Sequence, residues 1–148
     1  MPISEAERER RLRLLEHHYA VENAGDIPGI MATFAPNGVM TYNGVPFPTA
    51  EAIEGGHLYL GFQEVGGAMD KLVNHIDKIS HTDNDIIVEG RASGTFQEDF
   101  LGFVATNRPV EMPFIAMYYF NDDDLLESER VVMNLGPLNP EYLGTPPA

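Results

Sequence analysis

Cysteine is absent from this 148-residue chain, so no disulfide framework, thiolate nucleophile or thiolate metal site can exist in it. That absence fits a reducing, cytoplasmic compartment. No run approaches the roughly 18 apolar residues that span a bilayer. The opening MPISEAERERRLRLLEHHYA carries charges where a signal peptide needs an apolar stretch. Neither export nor a membrane partner is expected. Positive charge is scarce as well: 9 Lys+Arg stand against 23 Asp+Glu, a net charge of -14 that repels phosphate backbones and makes nucleic acid a poor partner. Arg8, Arg10, Arg11 and Arg13 alternate with Glu5, Glu7 and Glu9 at helical spacing, the pattern of ion pairs on a solvated helix. Signatures of bound groups are missing too. No spaced set of three or four converging N/O ligands marks a metal site. Gly55-Gly56 follows a helix and not a strand, unlike a phosphate loop, and Asp122-Asp123-Asp124 lacks the Gly and Glu spacing of a calcium loop. No metal and no cofactor is expected.

What is present reads as one globular domain, residues 1–136, with a Pro-rich tail over 137–148. Hydrophobic residues at 43% and charged residues at 22% suffice for a packed core. Ser4 and Glu7 form a capping-box pattern at the start of a helix over 4–24, in which Leu12, Leu15, Tyr19 and Glu22 share one stripe and His18 lies on the adjoining one. Asp26 caps a second helix over 27–34 carrying Ile30, Met31 and Phe34 inward, and Thr49 caps a third over 50–62. A strand is expected at 39–42. Asn43-Gly44 is a hairpin-turn pair, after which Pro46 and Pro48 forbid a long central strand. The period then changes to two, predicting strands over 71–80, 86–96, 110–120 and 125–134, with a bent connection over 97–108. Three helices followed by four long antiparallel strands imply an α+β fold, a curved sheet wrapped around the first helix.

The string HHYAVENAGDIPGIMATFAPNGVMTYNGV resembles the opening of the nuclear transport factor 2-like superfamily. The string GTFQEDFLGFVATNRPVEMPFIAMYYFNDDDLLESERVVMN is similar to the SnoaL-like polyketide cyclase branch. The resemblance implies a cone-shaped cystatin-like α+β barrel. It places the cyclase's Asn on Asn43, its catalytic Asp near Arg130 with Glu129 beside it, and its His on Ala116. Against ketosteroid isomerase, a relative of the same superfamily, the general-base Asp falls on Tyr42 and the oxyanion-hole Asp again on Ala116. The oxyanion Tyr falls on His18 and its supporting Tyr on His57.

Two histidines at pocket positions can take and return a proton, which isomerisation, aldol cyclisation and dehydration all require. His18, His57, Arg130 and Asn43 are therefore the catalytic candidates, with the histidines as base and relay. Tyr19, Phe34, Tyr42, Phe114, Ala116, Tyr118 and Asn134 are the substrate-binding candidates. Neighbours on a strand point oppositely, so only one of Glu129 and Arg130 faces in, and Arg130 is preferred. The expected function is a small cofactor-independent enzyme acting on a hydrophobic carbonyl compound such as a polyketide or steroid. The alternative is a non-catalytic binding or assembly domain. An open cavity reaching both histidines favours chemistry; one plugged by Phe114 and Tyr118 favours the alternative. An uncovered outer sheet face predicts a homodimer.

Overall fold

The computed structural model describes residues 2–62 and 66–142. Helix α1 (Glu5–Asn23) starts at a complete capping box: Ser4 accepts from the Glu7 backbone N–H, and the Glu7 carboxylate accepts from the Ser4 backbone. Helix α2 (Ile27–Ala32) is capped by Asp26 and α3 (Ala50–Leu60) by Thr49. The strands are β1 (Phe34–Tyr42), β2 (Val45–Phe47), β3 (Met69–His81), β4 (Ile86–Phe96), β5 (Pro109–Phe120) and β6 (Leu126–Met133), followed by a 3-10 turn at Gly136–Leu138.

The strands form one six-stranded sheet in the order β2-β1-β6-β5-β4-β3. It is the expected curved sheet around α1, with two refinements. The β1–β6 pairing is parallel, which makes the sheet mixed, and the sheet is open, with β2 and β3 at its edges. Strand β1 also begins earlier than its apolar run suggests, at Phe34, because a register irregularity between Phe34 and Val39 absorbs Pro36 and Gly38. Asn43 (φ 47) and Gly44 (φ 81) turn the chain back into the short edge strand β2, where Pro46 is tolerated. Bulges between Asp70 and Val73, and between Ile76 and Lys78, bend β3.

The concave face buries Met112, Phe114, Ala116, Tyr118 and Phe120 from β5, alternating as a half-buried strand must. Leu15 and Tyr19 of α1 pack onto this face, the Tyr19 ring stacking on Phe114 and meeting Tyr118 edge-on. The other end of α1 is tied down by Arg10 and Arg11, both 2.8 Å from the Asp124 carboxylate at the tip of the β5–β6 hairpin. Leu138 of the 3-10 turn is fully buried, so packing continues past the last strand. Among the described residues, no helix is long and apolar enough to cross a membrane.

Candidate active site

Where α1, α3, β5 and β6 converge, a small pocket with about 50 Å³ of internal space is left. Its walls are apolar: Met40, Phe47, Leu60, Phe62, Phe114, Val131 and Met133, with Tyr42 among them. Its polar edge is formed by Glu129, Tyr118, Tyr19, His57, Glu22 and Asn74. Such a site, largely apolar with a few convergent polar groups, suits a small hydrophobic molecule.

Behind that edge lies a buried cluster of four ionisable side chains. His18 Nε2 is 3.0 Å from Glu22 Oε1 and 3.6 Å from Glu129 Oε2, and His57 Nε2 is 3.4 Å from the same Glu22 oxygen. The other Glu22 oxygen accepts from the Asn74 amide at 2.7 Å. The far side of each imidazole places a proton on Nδ1. His57 Nδ1 is 2.8 Å from the Ile53 carbonyl, which can only accept. The Thr33 hydroxyl gives its one proton to the Ile30 carbonyl at 2.6 Å, so at 2.7 Å it accepts from His18 Nδ1–H. Both rings therefore carry Nδ1–H and turn Nε2 towards carboxylates. With both imidazoles protonated and both acids ionised, the buried cluster would be electrically neutral.

The shifts follow from this arrangement. Burial pulls the His18 and His57 pKa values down, but the facing carboxylates outweigh it and both end raised. His57 also sits in the last turn of α3, where the helix dipole favours a cation. Burial pushes the Glu22 carboxyl up, yet the close approach of His18 first, and then of His57, brings it down to about 2. Glu129 goes the other way. Burial dominates there, the imidazoles recover only part of it, and its pKa is raised. The Tyr19 and Tyr118 hydroxyls are hydrogen-bonded at 2.6 Å, and a hydrogen bond from Tyr118 pulls the Glu129 pKa part of the way back down. Burial raises both phenols well above their usual range.

His18, Glu22 and Glu129 bring ligand-type atoms within 4.8 Å of one another, a spacing that suits a divalent ion. A metal would have to displace the proton that the facing carboxylates favour at His18 Nε2, since they raise its pKa.

The sequence candidates fall into three groups. His57, Tyr19, Tyr42, Phe114 and Tyr118 border the pocket, the last two as wall and not as plug. His18, Phe34 and Ala116 are buried behind it; the Phe34 ring meets both imidazoles edge-on. The cavity thus reaches His57 and stops short of His18. Arg130, Asn134 and Asn43 do not face the pocket, contrary to expectation. Arg130 is exposed and lies over the Tyr119 ring, while Glu129 is buried and faces in. The cause is a register shift beside Tyr119 and Phe120, where β6 gains one residue and its in–out parity reverses. Asn134 shares the parity of Arg130, is exposed, and donates to the Tyr142 hydroxyl. Asn43 is a brace: its side chain accepts from Met133 N–H at 2.7 Å and donates to Met133 C=O at 3.0 Å. Glu22, Asn74 and Thr33 escaped the sequence candidates. Glu22 alone left a signal, an acid on the buried stripe one helical turn after His18.

A cone-shaped α+β domain with a polar cluster inside an apolar pocket is the nuclear transport factor 2-like fold. Within it, the chain belongs to the SnoaL-like domain family, whose model matches residues 15–128. No curated protein matches the sequence. Solved structures agree on the fold. A protein designated a SnoaL-like polyketide cyclase, from Jannaschia sp. CCS1, is 16% identical, with 99% of this chain and 97% of that one covered at a TM-score of 0.72. Rv0760c from Mycobacterium tuberculosis, in complex with estradiol-17beta-hemisuccinate, is 17% identical over 86% of this chain and 96% of that one, at 0.64. The epoxide hydrolase/cyclase-like enzyme SalBIII, of pyran ring formation in the polyether salinomycin, is 13% identical over 88% and 95%, at 0.69.

Proposed function

We propose that this protein is a cofactor-independent acid/base enzyme acting on a hydrophobic carbonyl compound, such as a polyketide or steroid, by isomerisation, cyclisation or dehydration. Glu129 is the proton carrier. One observation carries this reading: a fully buried carboxyl of raised pKa borders an apolar pocket, with one oxygen left without a hydrogen bond. In the reaction, Glu129 takes a proton from the carbon beside the carbonyl and returns it elsewhere on the same molecule. His57, held only loosely by Glu22 at 3.4 Å, directs its Nε2–H at the oxygen on which negative charge develops. The Tyr19–Tyr118 pair steadies Glu129 in its ionised state. The steroid seen in Rv0760c and the cyclase designation of other relatives support a ligand of this class. We further assign a homodimer formed through the outer sheet face.

The test is hydrogen–deuterium exchange at the α-carbon of a panel of hydrophobic ketones, followed by NMR. Glu129→Gln should slow exchange of a confirmed substrate by at least about 100-fold. Full exchange in that variant would remove Glu129 from the chemistry. Ligands that bind to the native protein without exchange would make it a binding domain instead.

A further inference from the structure

His18 has no part in the chemistry above, since it is fully buried and does not border the pocket. Its surroundings are nevertheless unusual. Nδ1 faces Thr33 Oγ1 at 2.7 Å, and Nε2 faces Glu22 Oε1 at 3.0 Å and Glu129 Oε2 at 3.6 Å. Thr33 has already committed its proton to Ile30, so every atom facing the ring nitrogens is an acceptor. A neutral imidazole would turn a lone pair towards one of them; an imidazolium supplies an N–H to each side.

The Nε2–H, however, is well aligned with neither carboxylate. His18 Nε2 and Glu129 Oε2 are the two buried side-chain polar atoms without a hydrogen-bond partner among the described residues. An unsatisfied donor facing an unsatisfied acceptor across 3.6 Å describes a bond that forms in one protonation state and lapses in another. The other ionisable neighbours are accounted for. Tyr19 from α1 and Tyr118 from β5 are occupied with each other and with Glu129, and His57 from α3 is a like charge paired to Glu22.

We infer that His18 is a standing imidazolium counter-ion that sets the basicity of Glu129, its Nε2–H turning from Glu22 onto Glu129 when Glu129 ionises, with Thr33 as the positioning residue that keeps it charged. This rests on the reading of Glu129 as proton carrier. Proton balance is simple. The proton that Glu129 takes from the ligand stays on its carboxyl until it is returned, and His18 keeps both of its own throughout. Without the imidazolium, Glu22 and Glu129 would have only His57 as a counter-ion, and Glu129 would hold its proton more tightly and be a poorer acceptor for the ligand's.

The experiment is an NMR titration of isotopically labelled protein, following both His18 nitrogens and the Glu129 carboxyl carbon without any substrate. Wild-type His18 should carry a proton on both nitrogens at neutral pH. Thr33→Val is isosteric and removes the Nδ1 acceptor. It should lower the His18 pKa and raise that of Glu129, each by roughly one to two units, and Thr33→Ser should restore both. A merely structural threonine would alter melting without moving Glu129. A neutral His18 at pH 7 in the wild type would overturn the inference. So would a folded Thr33→Val in which Glu129 titrates unchanged. Exchange by Glu129→Gln tests the acid/base reading separately, so a failure of that reading is told apart from a failure of this inference.

Discussion

Glu22 is the residue on which the buried charges depend. It accepts from Asn74, faces both imidazoles, and has its pKa held down at about 2. Replacing it by glutamine leaves two cations sharing one remaining carboxylate, and breaking a buried pair in this way costs about 3 kcal/mol. Denaturant unfolding of Glu22→Gln should show that loss. The pH dependence has a definite sign. A carboxyl whose folded pKa is depressed contributes stability above the ordinary carboxylate range, lost as pH falls through that range towards about 2. Wild-type melting temperature should therefore drop over that acid interval, and Glu22→Gln should flatten the slope. An equal slope in both proteins would place the titration elsewhere. The residue was half legible: its place on the buried stripe of α1 follows from spacing, but Asn74, His57 and Glu129 reach it from segments 35 to 107 residues away.

At the scale of elements, β6 decides which side chains see the pocket. Simple alternation from Leu126 sends Ser128 and Arg130 inward, whereas the observed sequence of buried positions is Leu126, Glu129 and Met133. One extra residue beside the hairpin reverses the strand, and no local propensity announces a bulge of that kind. Exposed Arg130 should accordingly tolerate alanine with no loss of exchange activity, since its guanidinium contacts the Tyr119 ring on the outer face. Asn43 gives the contrasting case. Its turn is legible from Asn-Gly, but its two hydrogen bonds to Met133 join β1 to the end of β6 and exist only once the parallel pair has formed. Asn43→Ala should lower stability by about 1–2 kcal/mol, read by thermal melting, while the exchange reaction per folded molecule is retained.

For the whole molecule, the open sheet leaves apolar side chains on its outer face. Ile115 and Val132 are cross-strand partners there, 51% and 63% exposed. A pair in mid-sheet is the natural centre of a two-fold contact between copies. Net charge of -14 on each copy opposes that contact, so added salt should strengthen it. Light scattering at micromolar concentration should give a dimer, and Val132→Asp should shift it to monomer without unfolding it. A wild-type monomer at moderate salt would sink the assignment.

Periodicity, caps and turn residues determined α1, the hairpins and the inward face of β5, because each depends on neighbours within a few residues. The same local rules made the chain an α+β domain with an apolar interior. Only the tertiary structure decided the partners of the buried charges. The parallel return of β1 onto β6, the added residue in β6 and the approach of α3 are set by contacts distant in sequence. Those contacts put Glu129 at the pocket, His18 behind it, and Arg130 on the far side of the sheet.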